Sequence, residues 1–156
     1  MFDTVVISTN PRRSAPEDVG GSLSVASFNV LNFFTTIDSD PDARSGPNRL
    51  EPRGADSVEE FERQLEKLTT AIAALDADIL GLIELENEFS FDQNGDGRFA
   101  IEVLVDSLNS ATGRVYAPVD PGRGFVDTRD AISNGFIYDT QTVEVTYGTS
   151  IEILDD

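Results

Sequence analysis

SVASFNVLNFF, from Ser24 to Phe34, and ADILGLIELEN, from Ala77 to Asn87, decide how this chain folds. Each is an apolar run of strand length that carries polar groups into or just past its end. The first delivers Asn29 and then Asn32; in the second, the run from Asp78 to Ile83 ends in Glu84. A carboxylate at the end of a buried strand is costly unless a metal, an Arg or solvent meets it, which makes Glu84 a site candidate. Two strands that each bring carboxylate or amide oxygens suit a hard divalent cation. Glu86 lies two residues further on and in an extended chain shares the face of Glu84, as a second ligand or an outer partner of the first.

Between the two runs the spacing predicts a helix from Ser57 to about Leu75. Ser57 and Glu60 form a capping-box pattern, and Val58, Phe61, Leu65, Leu68, Ile72 and Leu75 make one apolar stripe. Strand, helix and strand in that order, with both strands apolar, point to an α/β fold with a parallel or mixed sheet covered by helices. A second helix is predicted over residues 99–110. Shorter strands follow over residues 114–118, 131–138 and 143–147, with a turn at Asp139 to Thr142. Residues 35–56 form a long polar loop rich in Pro and Gly, and loops of this length are usually functional. It carries Arg44, Arg49 and Arg53, of which Arg49 and Arg53 are the candidate phosphate contacts. Residues 1–21 read as the tail of a preceding region and a linker, leaving 22–156 as the domain.

The chain has 156 residues, enough for one core, and its 39% hydrophobic and 26% charged residues are those of a globular protein. Cysteine is absent, which excludes disulfides and thiolate metal sites. No apolar run is long enough for a membrane span, and the N-terminus lacks the pattern of a signal peptide. The net charge of −18 opposes nucleic-acid binding unless bound cations offset it; it fits either plain solubility or divalent-cation dependence.

Four segments in order, VASFNVLNFFTTID, RGADSVEEFERQLEKL, ADILGLIELEN and DAISNGFIYDTQTV, resemble the N-terminal half of a DNase-I-like endonuclease/exonuclease/phosphatase domain. The likeness is greatest to secreted bacterial nucleases of that superfamily. It implies part of a four-layer α/β sandwich and a Mg²⁺- or Mn²⁺-dependent phosphodiesterase acting on DNA or RNA, extracellular in its full-length form. It also implies that Glu84 is the main metal ligand and that Asn29 assists at the metal and the scissile phosphate. A complete member of the family carries later Asp-Asn and Asp-His motifs that hold and polarise the attacking water. This chain has no His and ends at ILDD. The expectation is therefore a half-domain, inactive alone, whose partner is the C-terminal half of the same domain.

Asp92-Gln93-Asn94-Gly95-Asp96-Gly97 matches the start of a calcium loop, with Asp92, Asn94 and Asp96 as ligands for Ca²⁺. The twelfth position is Val103 rather than the Glu that closes an EF-hand. Two other readings stand beside the nuclease: the same fold acting on an inositol phosphate or phospholipid head group, and an acidic calcium-binding or adhesion module without catalysis.

Overall fold

The computed structural model describes residues 20–39, 41–88, 97–120 and 129–146. Six elements follow one another: β1 (Val25–Phe33), α1 (Val58–Ala73), β2 (Ile79–Glu86), α2 (Ala100–Ala111), β3 (Tyr116–Pro118) and β4 (Ile132–Asp139). The four strands form one mixed sheet in the order β1-β2-β4-β3. β1 and β2 run parallel, joined by the α1 crossover, while β4 is antiparallel to both β2 and β3. Described in this way, the protein is a mixed α/β fold.

Both helices lie on one face of the sheet. Leu68 and Ile72 of α1, and Ile101, Leu104, Val105 and Leu108 of α2, are buried against Val30, Phe33, Leu80, Leu82, Leu85 and Ile137 of the strands. Phe61 of α1 stacks on Phe33 of β1 with ring centroids 5.5 Å apart. Each fully buried aliphatic or aromatic side chain of this kind contributes about 1.5–3 kcal/mol. The predicted α1 stripe is occupied only in its middle: Val58 and Leu75 at its ends are exposed. Ser57 caps α1 by accepting from the Glu60 N–H (3.2 Å), but Glu60 returns its bond to the Asp56 N–H, one residue before the cap.

The opposite face carries no helix among the described residues. Val25 (68% exposed), Phe136 (55%) and Ile83 (39%) stand on it around Ser27, Gly81 and Asn134, lining a shallow depression of about 450 Å³. The second departure from the sequence expectation lies beyond β4. The turn at residues 140–142 is present, with the Thr142 and Val143 N–H groups donating to the Asp139 carbonyl, but residues 143–146 form no strand.

At the end of the sheet where β2 begins, Arg114 gathers three carboxylates. Its guanidinium donates to Asp76 (2.7 Å), Asp78 (3.0 Å) and Asp139 (2.8 Å), and also to the Asp76 carbonyl. Ser24, just before β1, binds the other Asp78 oxygen through its N–H and its hydroxyl, both at 2.7 Å. The Ser24 bonds, then Arg114 and Thr142, hold the Asp78 carboxyl far below its ordinary value, and Asp76 foremost raises the Arg114 guanidinium. A carboxylate depressed in the folded state stabilises the fold above its unfolded pKa near 3.8 and loses that contribution as pH falls further. Denaturant midpoints compared for wild type and Asp78→Asn should therefore differ most above pH 5 and converge as pH falls below about 4. A gap that stays constant down to pH 2 would show that the charge of Asp78 is immaterial.

Candidate functional site

At the other end of the sheet, β1 and β2 both break their ladder at the same level. The β1–β2 register runs regularly to Asn29–Ile83 and resumes only at Phe33–Leu85. Against β4, β2 carries one extra residue between Ile83 and Leu85, and that residue is Glu84. Glu84 sits at φ +67°, while Leu31 and Asn32 sit at +56° and +53°. Three non-glycine residues in the left-handed region, side by side on adjacent strands, represent stored strain of about 1–3 kcal/mol each, of the kind that collects at functional sites.

The bulge decides where Glu84 points. Leu80 and Leu82 face the core, so a regular strand would carry Glu84 into the core after them. The left-handed step hands that place to Leu85, which is wholly buried, and turns the Glu84 carboxylate towards Asn29. Asn29 Nδ2 donates to Glu84 Oε1 at 2.7 Å, and the Asn32 N–H donates to Glu84 Oε2 at 3.2 Å. The Asn29 side-chain oxygen Oδ1 in turn accepts from the Leu31 N–H at 2.7 Å. Asn29 and Glu84, both named from the sequence as candidates, are thus joined by a hydrogen bond. Asn134 of β4 pairs with Ile83 in the row that also contains Asn29, and is exposed. Nothing in the sequence marked it, because an Asn before a Gly in a strand usually signals a turn.

Glu86 differs from its expected place. What sets it apart from Glu84 is the 35–56 loop, which closes over its carboxylate. Glu86 is buried instead, with Oε2 accepting from the Thr35 and Thr36 N–H groups (2.7 and 3.0 Å) and Oε1 from the Ser45 hydroxyl (2.7 Å). Both of its oxygens are spent on holding the 35–56 loop. That loop is fastened elsewhere too: Asp38 N–H reaches the Ala55 carbonyl, Ser45 and Leu50 bridge each other, and Gly54 packs on Phe34 so closely that a Cβ there would lie 2.5 Å from that ring's Cβ.

Of the three loop arginines, Arg49 is exposed at φ +54° on the tip of the Gly46–Arg49 turn. Arg53 is paired with Asp130, and Arg44 donates to the carbonyls of Pro41 and Ala43. Arg53 is therefore a neutralised cation, while Arg49 is exposed and has no ion pair among the described residues. The candidate calcium ligands Asp92, Asn94 and Asp96 lie outside the described residues, as do residues 1–19.

No protein-family model, curated protein or solved structure matches this chain. The chemistry must be read from the residues themselves. Among the described residues no three carboxylate or imidazole groups converge as a ready-made metal cage. What converges is one carboxylate, one amide and one backbone N–H. From the described residues each Glu84 oxygen accepts a single bond and keeps a lone pair. Of the three only the carboxylate can ligate a cation, and a lone carboxylate would suit a largely hydrated Mg²⁺ or Mn²⁺, which typically takes one or two carboxylates and fills its octahedron with water and phosphate oxygens. No helix among the described residues is long and apolar enough to cross a membrane.

Proposed function

We propose that this chain supplies one wall of a DNase-I-like phosphodiesterase site, with Glu84 as the metal-holding carboxylate and Asn29 as the group that orients it and meets a phosphate oxygen. The observation that carries this reading is the coincidence of the β1 and β2 bulges, which spends backbone strain to bring Glu84 out of the core and against Asn29. A bound divalent cation would offset the charge that gathers on the phosphate oxygens as the ester bond breaks. Asn29 can donate to such an oxygen without adding negative charge, which matters on a chain of net charge −18.

The open sheet face gives the second line of support. An exposed apolar row of Val25, Ile83 and Phe136 among the described residues supports the reading of a sheet that packs face to face with a second one. The nucleic-acid substrate, the secreted setting and the four-layer architecture follow from the family likeness. Catalysis needs a base for the attacking water, and general acid–base help is worth about a hundred- to ten-thousandfold. The chain has no His to provide it. On this reading the Asn29–Glu84 site binds and orients, and the residues that activate water stand on the opposite wall.

Manganese tests the reading directly. In the 156-residue chain, added Mn²⁺ should broaden the NMR signals of Asn29, Asn32 and Glu84 before any others, and Glu84→Gln should remove that selectivity. Plasmid DNA should stay intact in the same solution. Broadening spread evenly over the acidic surface, or unchanged in Glu84→Gln, would sink the assignment.

A further inference from the structure

Gln64 of α1 touches neither a cation nor a phosphate in the reading above, yet it grips the backbone that shapes the site. Its Nε2 donates to the Val30 carbonyl at 3.2 Å and to the Leu31 carbonyl at 3.0 Å. These carbonyls lie in the stretch of β1, residues 30–32, that has no partner in the register with β2. They are off the ladder, and the side-chain amide of Gln64 takes the ladder's place.

The geometry has a consequence because a peptide group is planar. Its carbonyl and the following N–H point in opposite directions on one rigid plate. The plate ending in the Val30 carbonyl carries the Leu31 N–H, which holds Asn29 Oδ1; the plate ending in the Leu31 carbonyl carries the Asn32 N–H, which holds Glu84 Oε2. Gln64 therefore fixes, from behind, the two plates that orient both functional side chains. We infer that Gln64 is a positioning residue for the Asn29–Glu84 pair, an inference that rests on the metal reading for its functional meaning but not for its structural one.

Three features suit Gln64 to this task. Its amide nitrogen has two hydrogens, one for each carbonyl. It is neutral, so it does not compete with a cation for Glu84 as Lys or Arg would. It also lies one helical turn from Phe61 and Leu68, whose contacts fix α1 on the sheet. Donation to a carbonyl polarises the same peptide's N–H and strengthens the bond that it makes on the far side.

The test is Gln64→Met, which keeps length and helix propensity but removes both donors. Amide hydrogen exchange at Leu31 and Asn32 should speed up by at least about tenfold, while Leu68 in α1 and Leu82 in β2 keep their wild-type rates. Mn²⁺ affinity should fall by about ten- to a hundredfold, as is usual when an outer partner of a metal ligand is lost. Unchanged exchange at Leu31 and Asn32 would overturn the inference. So would a uniform acceleration that includes Leu68 and Leu82, since that is the mark of a merely structural role. If the wild-type chain binds no Mn²⁺, the metal reading fails by itself, and the exchange rates still decide the role of Gln64.

Discussion

Glu84→Gln should, on the phosphodiesterase reading proposed above, lower metal-dependent phosphodiester cleavage by a hundredfold or more in a protein that carries the whole site, an effect of about the size seen when a single transition-state contact is removed. The substituted amide keeps the size of the carboxylate but loses its charge, and it can satisfy only one of its two neighbours. Asn29 Nδ2 and the Asn32 N–H both donate to Glu84, so whichever way a Gln amide is turned, one donor faces another. The fold should lose only about 1 kcal/mol, the net worth of a typical hydrogen bond. Glu84→Gly makes the sharper comparison. Glycine accepts φ +67° without penalty, so this variant gives back backbone strain while losing the carboxylate altogether. Inactive protein that is as stable as wild type, or more so, is the expected result from thermal denaturation and nicking assays run together. Near-normal turnover in Glu84→Gln would place the metal elsewhere.

The second large effect is on stability. Arg114→Met should destabilise the fold by about 3–5 kcal/mol, the usual cost of leaving a buried charge without its partner. Asp139 is only 2% exposed and would lose its cation in a buried place, while Asp78 would keep its bonds from Ser24 and Thr142. The three acids ride on separate parts of the chain: Asp76 and Asp78 lead into β2 and Asp139 closes β4. Replacing Asp76 alone should cost much less, because that side chain is largely exposed. Urea denaturation of Arg114→Met, Asp76→Asn and wild type would separate the two. Equal, small losses would show that the cluster is a surface pairing.

The elements themselves were legible in the sequence because their periodicity is strong. The stripe from Phe61 to Ile72 and the apolar runs around Val30 and Leu82 each fall where the structure has α1, β1 and β2. The site was half legible. Asn29 and Glu84 could be named, since a polar group at the end of an apolar run draws attention. What brings them together could not, because a left-handed Glu has no sequence signal comparable to a left-handed Gly. The same bulge let β2 run three residues past its predicted end at Ile83, and the 35–56 loop, not the strand, took the carboxylate of Glu86. The Arg114 cluster was invisible for another reason: its members are spread from residue 76 to residue 139 and meet only after the sheet has formed. Local pattern fails wherever long-range pairing decides.

The open face also has a thermal consequence. The heat capacity that a protein takes up on unfolding comes chiefly from apolar surface newly wetted, and ordinary domains show about 12–15 cal/mol/K per residue. Val25, Ile83 and Phe136 are already wet before unfolding begins. This chain should therefore fall below that range, and its free energy should bend less with temperature than that of a closed sandwich. A flatter curve brings the warm limit and the cold limit of the fold under the control of the same few side chains, those of the helix-covered face.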